Sequence, residues 1–384
     1  MLAQVEQWCA INTGTGNLAG LARQAGLLAD GFAPLPGDVS LIEAPSVAAM
    51  GADGLEKTIE NGRHLVLRVR PDAARRVLLT GHMDTVFPAS DPFQKRTWLD
   101  NQTLNGPGVA DMKGGIAVIL AALRAFETAP GAAQIGYDVL INSDEETGSL
   151  SSAPLIAELA GGKLAALTYE PSALADGTLA GARGGSGNFA ILIRGKSAHA
   201  GRNPQDGRNA IVAGAALVLQ LKALECEGLA INPARIDGGS ANNVVPDMAV
   251  VRFNIRPVTL ELARQFNFDL GRIVPALQAE HGVHFTVQGG LSRPPKPLDP
   301  PAERLFNLVK DCGETLGQPI RWQSSGGVCD GNNIAACGVP VVDTMGVRGG
   351  AIHSLDEFLI VASLAERAAL SALVLRRLAE GALK

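Results

Sequence analysis

The stretch VLLTGHMD, residues 77–84, decides the fold: a short apolar run ends in a histidine and an aspartate. Two similar runs follow, VLINSDEE at 139–146 and LAALTYE at 164–170, and Val339–Val342 is a fourth apolar segment. Short apolar runs bounded by polar residues are typical of strands that are buried on both faces of a parallel sheet. The sequence therefore predicts a set of parallel strands, with acids or a histidine directly after several of them.

Helix-like segments lie between and after these runs. Ile116–Phe126 has apolar residues at helical spacing, Ser151–Ala160 is a second such segment, and Ile360–Leu378 is a long Ala/Leu/Arg segment near the C-terminus. Alternation of strands and helices is typical of an α/β sheet with helices on both faces. We expect this architecture for the larger part of the chain.

The middle of the chain has a different pattern. Gly187–Gly195 resembles a strand, Asn209–Leu224 an apolar helix, and Ala249–Arg256 alternates apolar and polar residues with period two. Such alternation is typical of an antiparallel sheet with one exposed face. We expect Gly187–Ile193 to be an edge strand, open to pairing with a second copy of the chain.

A chain of 384 residues is long enough for two domains. We expect a small α+β domain at residues 179–291, inserted into a larger α/β domain that contains residues 1–178 and 292–384.

Composition excludes several classes of protein. The net charge of −5 disfavours a nucleic-acid binder or a protein of anionic membranes, and no run of 18 apolar residues is present. The five cysteines form no CxxC pair, so neither a disulfide framework nor a cysteine zinc site is expected. The first ten residues lack signal-peptide features, which favours the cytoplasm; a periplasmic location stays open if a leader segment has been removed.

Acids and imidazoles collect at the ends of the predicted strands: His82, Asp84, Glu145, Glu146 and Glu170. Functional groups of open α/β sheets gather outside the carboxyl ends of the strands. Imidazole and carboxylate are zinc ligands, and a pair of ions needs a carboxylate that bridges them. Of two adjacent glutamates, one can bind metal while the other transfers protons.

Other interpretations remain for single motifs. Taken alone, a His-x-Asp pair is more often an ordinary hydrogen bond, and an acidic triplet more often a solvated turn. The segment GTGNLA at 14–19 resembles a dinucleotide-binding fingerprint, although it follows a helix-like segment rather than a strand. A binding protein that has lost catalysis would also show this fold, but it would lack a ligand or the base.

Taken together, the motifs resemble the zinc-dependent carboxypeptidases and aminoacylases, which include bacterial glutamate carboxypeptidase, acetylornithine deacetylase and succinyl-diaminopimelate desuccinylase. The resemblance covers nearly the whole chain and is carried by GHMDTV at Gly81, GPGVADMKGG at Gly106, SDEETGS at Ser143, YEPS at Tyr169, GKSAHAG at Gly195, NVVP at Asn243 and GGAIHS ending past His353. It implies a zinc-exopeptidase-like fold: a mostly parallel sheet flanked by helices, with an inserted α+β lid domain that serves dimerisation.

The resemblance also implies a role for individual residues. The metal ligands would be Asp111 between two Zn²⁺ ions, His82 and Glu170 on one side, and Glu146 and His353 on the other. Glu145 would be the general acid/base and Asp84 would orient His82, with a cis Asp111–Met112 peptide. Co²⁺ or Mn²⁺ would also suit these ligands.

Substrate contacts are implied in the inserted domain. Asn243, Arg256 and Arg293 match positions that bind the substrate carboxylate in glutamate carboxypeptidase, and an arginine fork suits a carboxylate. His199 would reach the active site of the partner in a homodimer. Arg348 departs from the glutamate carboxypeptidase pattern, so the preference for glutamate is an open point.

We therefore expect a two-zinc amidohydrolase that cleaves a small peptide or an N-acyl amino acid next to a free carboxylate, as glutamate carboxypeptidase does. The alternative is a deacylase of small N-acyl amino acids of the acetylornithine type. Both reactions use the same metal chemistry, and only the substrate pocket separates them.

Overall fold

The computed structural model describes residues 1–383 and divides the chain into two compact units. Unit 1 contains Met1–Ser46, Glu60–Arg183 and the chain from Lys296 onward, and unit 2 contains Val47–Ile59 and Gly184–Pro295. Each unit has a hydrophobic core of its own. The segment 47–59 belongs to unit 2, which the boundaries expected from the sequence do not include.

Nine α-helices, eighteen strands and four short turns of π- or 3₁₀-helix form the regular structure of residues 1–383. The helices are α1 (Leu2–Cys9), α2 (Leu18–Phe32), α3 (Gly115–Glu127), α4 (Ala153–Ala160), α5 (Ala210–Ala223), α6 (Leu260–His281), α7 (Pro300–Thr315), α8 (Asp330–Ala336) and α9 (Ala362–Ala379). The strands are β1 (Asp38–Ile42), β2 (Val47–Met50), β3 (Glu56–Ile59), β4 (His64–Val69), β5 (Arg76–His82), β6 (Thr97–Trp98), β7 (Thr103–Asn105), β8 (Gly136–Asn142), β9 (Ala165–Thr168), β10 (Leu179–Arg183), β11 (Ser186–Arg194), β12 (Leu229–Gly238), β13 (Met248–Pro257), β14 (His284–Arg293), β15 (Trp322–Ser325), β16 (Val341–Val342), β17 (Gly349–Gly350) and β18 (Phe358–Ile360).

The main sheet of unit 1 has the order β1-β4-β8-β5-β9-β16. The pairs β8–β5, β5–β9 and β9–β16 are parallel, while β1–β4 and β4–β8 are antiparallel. The predicted mostly parallel sheet is therefore confirmed, with an antiparallel edge that the sequence analysis did not foresee.

Strand β5 shows why this sheet forms. Val77 and Leu79 are fully buried in the larger core, which α2, α3 and α9 complete, and Leu78 is fully buried in a separate cluster with α4 and α8. Because both faces of the strand are covered, its sequence is continuously apolar instead of alternating. Burying one such side chain contributes roughly 1.5–3 kcal/mol.

Parallel strands bring the chemistry to one edge of this sheet. β5 ends at His82, which pairs with Asn142 at the end of β8, and Thr80 of β5 pairs with Thr168 at the end of β9. The residues that follow β8 and β9 therefore emerge beside His82, as the sequence predicts for the carboxyl ends of these strands.

Unit 2 is an antiparallel sheet of order β12-β13-β11-β14, with α5 and α6 packed on one face. The prediction that Gly187–Ile193 is an edge strand is wrong, because β11 pairs with β13 on one side and with β14 on the other. The hairpin β2–β3 packs on this unit, where Met50 O accepts a hydrogen bond from Arg252 Nη2 at 2.8 Å.

The predicted helices are present with small shifts at their ends. α5 begins at Ala210 because Asn209 caps it, with the side-chain oxygen accepting from Ile211 N and Val212 N. The C-terminal helix begins at Ala362, because Phe358–Ile360 forms a strand. In the described part of the chain, none of the helices has the length and apolar character that crossing a bilayer requires.

Candidate metal centre

Five side chains with metal-binding donors meet at the carboxyl edge of the unit 1 sheet. They come from the end of β5, the turn after β8, the loop after β9, the turn before α3 and the loop between β17 and β18. In chain order they are His82, Asp111, Glu146, Glu170 and His353.

Asp111 is the centre of this cluster. Its Oδ1 lies 3.0 Å from His82 Nε2, and its Oδ2 lies 3.3 Å from His353 Nε2. His82 Nε2 is also 3.6 Å from Glu170 Oε2, and His353 Nε2 is 3.1 Å from Glu146 Oε2. The two oxygens of one aspartate therefore face two different histidines, each with a glutamate of its own.

Asp84 fixes both the ring of His82 and the turn after β8. His82 Nδ1–H donates to the Asp84 carbonyl oxygen at 3.1 Å, so Nε2 points into the cluster. The Asp84 carboxylate accepts from the N–H groups of Glu145 and Glu146, both at 3.2 Å, and from Thr15 Oγ1 at 2.8 Å. A hydrogen bond to the second ring nitrogen fixes the tautomer and the orientation of a ligating histidine.

The structure separates the three acids of the SDEE motif. Asp144 is 1% exposed and accepts hydrogen bonds from Ser151 Oγ at 2.8 Å and from Ser152 Oγ at 2.6 Å. It therefore stabilises the turn after β8. Glu146 joins His82 and Asp111 in one potential metal-binding group. Glu145 lies beside His82 and Glu170 in a second such group.

Glu357 is a buried carboxylate that the sequence analysis missed. Its oxygens accept from the N–H groups of Gly108, Ala110 and Asp111 at 3.0–3.1 Å. The same loop contains the Asp111–Met112 peptide, which is cis as predicted. In the sequence, only the position of this glutamate shortly after His353 could have drawn notice to it.

The cluster has more negative charge than its histidines offset. Burial and the nearby Asp111 raise the pKa of Glu146 to about 7, and burial raises the pKa of Glu170 to about 8 although His82 is close. Hydrogen bonds to Asp111 and Glu146 raise the pKa of His353 to about 10. Buried carboxylates with raised pKa values are stabilised in their charged form by a bound cation. The imidazole and carboxylate donors of this group fit Zn²⁺, Co²⁺ or Mn²⁺.

Two of the predicted residues lie together at one end of unit 2. His199 follows β11 and Asn243 precedes β13, and their segments are joined by a hydrogen bond from Ala200 N to Asn243 O at 2.9 Å. Both residues are exposed, and His199 Nδ1 accepts from Gly201 N at 3.1 Å.

The two predicted arginines lie at the other end of the same sheet. Arg293 ends β14 and pairs with Ser186 at the start of β11, and Arg256 lies near the end of β13. β11 has nine residues, so its ends are roughly 26–27 Å apart. Within one chain, Asn243 therefore lies near His199 and far from the arginines with which the resemblance groups it.

Two further sequence features have structural explanations. Arg348 Nη1 pairs with Glu366 Oε2 at 3.1 Å and Arg348 Nε donates to Ala175 O at 3.1 Å, so this arginine is bound within unit 1. The segment 14–19 contains the turn before α2 and the first two residues of that helix, and it follows α1 with no strand between them. It lacks the strand–turn–helix context of a dinucleotide site, so the glycine pattern at 14–19 is not a dinucleotide-binding fingerprint.

Comparison with known proteins gives consistent matches. A model described as Peptidase family M20/M25/M40 matches residues 78–377. The chain is 29% identical to carboxypeptidase G2 of Pseudomonas sp. (strain RS-16), over 99% of this chain and 90% of that protein. It is 28% identical to a succinyl-diaminopimelate desuccinylase of Xanthomonas euvesicatoria pv. vesicatoria (strain 85-10), over 79% and 83% of the two chains. These matches confirm the resemblance that the motifs indicate.

A solved structure supports the fold. A tripeptidase from Staphylococcus aureus subsp. aureus Mu50 superposes with a TM-score of 0.74 at 23% identity, and the match covers 99% of this chain and 98% of that one. The family model spans every residue of the metal cluster, from His82 to His353.

Proposed function

The chain belongs to Peptidase family M20/M25/M40 and is a metal-dependent amide hydrolase, and we propose that it cleaves the amide bond of a small peptide or N-acyl amino acid next to a free carboxylate, as a glutamate carboxypeptidase does. One observation carries this proposal: Asp111 presents one oxygen to His82 and the other to His353. A carboxylate in this position is suited to bridge two ions.

Two Zn²⁺ ions per chain would have the ligands His82, Glu170 and Asp111 on one side, and Glu146, His353 and Asp111 on the other. When bound, zinc lowers the pKa of a coordinated water to about 7 and polarises the scissile carbonyl. Three carboxylates and the adjacent Glu145 give four negative charges, which two divalent ions would balance.

Glu145 is the proposed general acid/base. Its backbone is fixed by Asp84, and it lies beside His82 and Glu170 without being needed as a ligand in the arrangement above. A carboxylate there takes the proton of the attacking water and returns it to the amine that leaves.

For the substrate carboxylate we propose Arg256 and Arg293. They share one end of the unit 2 sheet, and guanidinium groups bind carboxylates through two parallel hydrogen bonds. The internal pairing of Arg348 with Glu366 supports leaving that arginine out of the substrate pocket.

For His199 and Asn243 we propose a role in a homodimer. Because they lie at the opposite end of the sheet from the arginines, one active site would not use both pairs from the same chain. α5 also exposes Val212 (51%) and Leu219 (72%), an apolar surface that a second copy would cover. In this arrangement His199, with Asn243 beside it, serves the partner's active site.

The second candidate is a deacylase of small N-acyl amino acids. The similarity to a succinyl-diaminopimelate desuccinylase supports it, since the same centre would remove an acyl group. A substrate panel with added Zn²⁺ decides between the two: peptides that end in Glu, Asp or a neutral residue, their C-terminal amides, and N-acetyl amino acids. We expect the fastest turnover with peptides that end in Glu or Asp. A preference for N-acetylornithine-type substrates would establish the deacylase. Equal turnover of the C-terminal amides would contradict the carboxylate requirement.

A further inference from the structure

The carboxylate of Glu357 connects the two chain segments that provide Asp111 and His353. Its residue is 1% exposed. Oε1 accepts from Ala110 N and Asp111 N, both at 3.0 Å, and Oε2 accepts from Gly108 N at 3.1 Å. Both oxygens are thus used by the backbone of the loop that presents Asp111.

The main chain of the same residue strengthens this connection. Glu357 O accepts from Gly106 N at 3.2 Å and from Asn105 Nδ2 at 2.8 Å. The next residue, Phe358, pairs with Asn105 in the β18–β7 ladder. The loop before α3 is therefore held along its length by a segment that is about 250 residues away in the chain.

These three amides have no helical acceptors. The turn Val109–Gly114 is interrupted at Asp111 (φ −113°, ψ 90°) and Met112 (φ −137°, ψ 37°), and Gly108 has a left-handed φ of 73°. A buried N–H group without an acceptor is unfavourable, so the carboxylate determines where this backbone lies.

We propose that Glu357 is a positioning residue, which fixes Asp111 so that its two oxygens face the two metal ions. The inference rests on the proposed function, because it assumes that Asp111 bridges the ions. A second buried acid beside Asp111 is electrostatically unfavourable in itself, and the three amide donors offset part of that cost. Glu357 touches neither ion nor substrate in this assignment.

The test is a titration of the metal-free full-length protein with Co²⁺, followed by visible absorption. Glu357→Gln keeps the size but turns an NH₂ group toward one of the amide donors, so we expect Co²⁺ affinity to fall about 10–100-fold and the absorption band to change. Asp356→Asn is the matched control: it removes one charge from the exposed neighbouring residue, and its titration should match that of the wild type.

Kinetics at saturating Zn²⁺ give a second readout. A displaced Asp111 should lower kcat and leave KM within about twofold, because the substrate contacts proposed above lie elsewhere. Glu357→Asp, which keeps the charge but is one methylene shorter, should fall between Glu357→Gln and the wild type in Co²⁺ affinity.

The outcomes separate this inference from the proposed function. Wild-type protein that binds no Co²⁺ would contradict the metal centre itself. Wild-type affinity and spectrum in Glu357→Gln would overturn only the positioning role. If neither variant folds, hydrogen exchange of backbone amides in the wild type decides. The amides of Gly108, Ala110 and Asp111 should stay protected after the metal is chelated if Glu357 holds the loop. They should lose protection if the metal ions hold it.

Discussion

The proposed metal ligands of unit 1 form one cluster, whereas the proposed substrate contacts of unit 2 lie at opposite ends of its sheet. In unit 1, His82 lies within 3.6 Å of both Asp111 and Glu170, and these three residues are buried. His353 completes the cluster from a more exposed position, 3.3 Å from Asp111. In unit 2, His199 and Asn243 are exposed and lie at the far end of the sheet from the arginines.

The contrast indicates that the proposed metal chemistry belongs to unit 1 alone, whereas the proposed substrate contacts do not form one site within unit 2. All five proposed ligands lie within unit 1, and three of them lie at or just after the ends of parallel strands that end at one edge of the sheet. The residues of unit 2 are brought together only in pairs, and their roles depend on groups outside that unit. Mutations in the two regions should therefore differ in size and in kind.

The largest effect is expected in unit 1, at Glu145. Glu145→Gln keeps the shape of the side chain but removes the proton acceptor, so kcat should fall by roughly 10²–10⁴ while the metal content stays at the wild-type value. Initial rates and elemental analysis of the same preparation measure both quantities.

Two further variants provide the comparison for Glu145→Gln. Glu146→Gln should instead lose metal, since Glu146 is a proposed ligand, and Glu158→Gln, an exposed acid on α4, should behave as the wild type. Near-normal turnover in a metal-loaded Glu145→Gln protein would mean that the base lies elsewhere.

A smaller and selective effect is expected at the arginines of unit 2. Alanine at Arg256 or Arg293 removes a charged hydrogen-bonding partner worth roughly 1.5–3 kcal/mol, or about 10–150-fold in kcat/KM. The loss should appear with substrates that have a free carboxylate and not with their C-terminal amides.

The exposed Arg235 of the same sheet provides the control for this comparison, and Arg235→Ala should leave both substrate types unaffected. Equal losses on free and amidated substrates would make Arg256 and Arg293 structural residues.

The smallest signal is a recovery of activity in mixed dimers. A His199→Ala chain and a Glu145→Gln chain, each inactive alone, are mixed in equal amounts and allowed to exchange. If His199 serves the partner's site, one site of each mixed dimer has neither defect, so about a quarter of wild-type activity should return.

No recovery would place His199 in the site of its own chain, provided that exchange is verified by differently tagged chains. A protein that sedimentation shows to be strictly monomeric would exclude the partner role directly.

Much of unit 1 could be predicted from the sequence because its signals are local. A buried strand that ends in a polar residue, as at His82, can be recognised without knowing its neighbours, and three such strands predict where the acids meet. The antiparallel edge of the sheet was not predicted, since β1 and β4 follow no pattern that indicates their direction.

The remaining features depend on long-range contacts. Glu357 acts on backbone groups about 250 residues away, and no spacing in the sequence indicates this. The hairpin at 47–59 was missed because β3 is exposed along its whole length and lacks an apolar alternation. The central position of β11 follows from pairing with β13 and β14, which a single strand sequence does not specify.

The most direct test of the metal centre is the metal content of purified protein after equilibration with Zn²⁺ and removal of the excess. Two ions per chain are expected in the wild type, and Asp111→Asn should lose both, because one carboxylate serves both sites. A single ion per chain in the wild type, or two ions retained in Asp111→Asn, would contradict a centre that is bridged by Asp111.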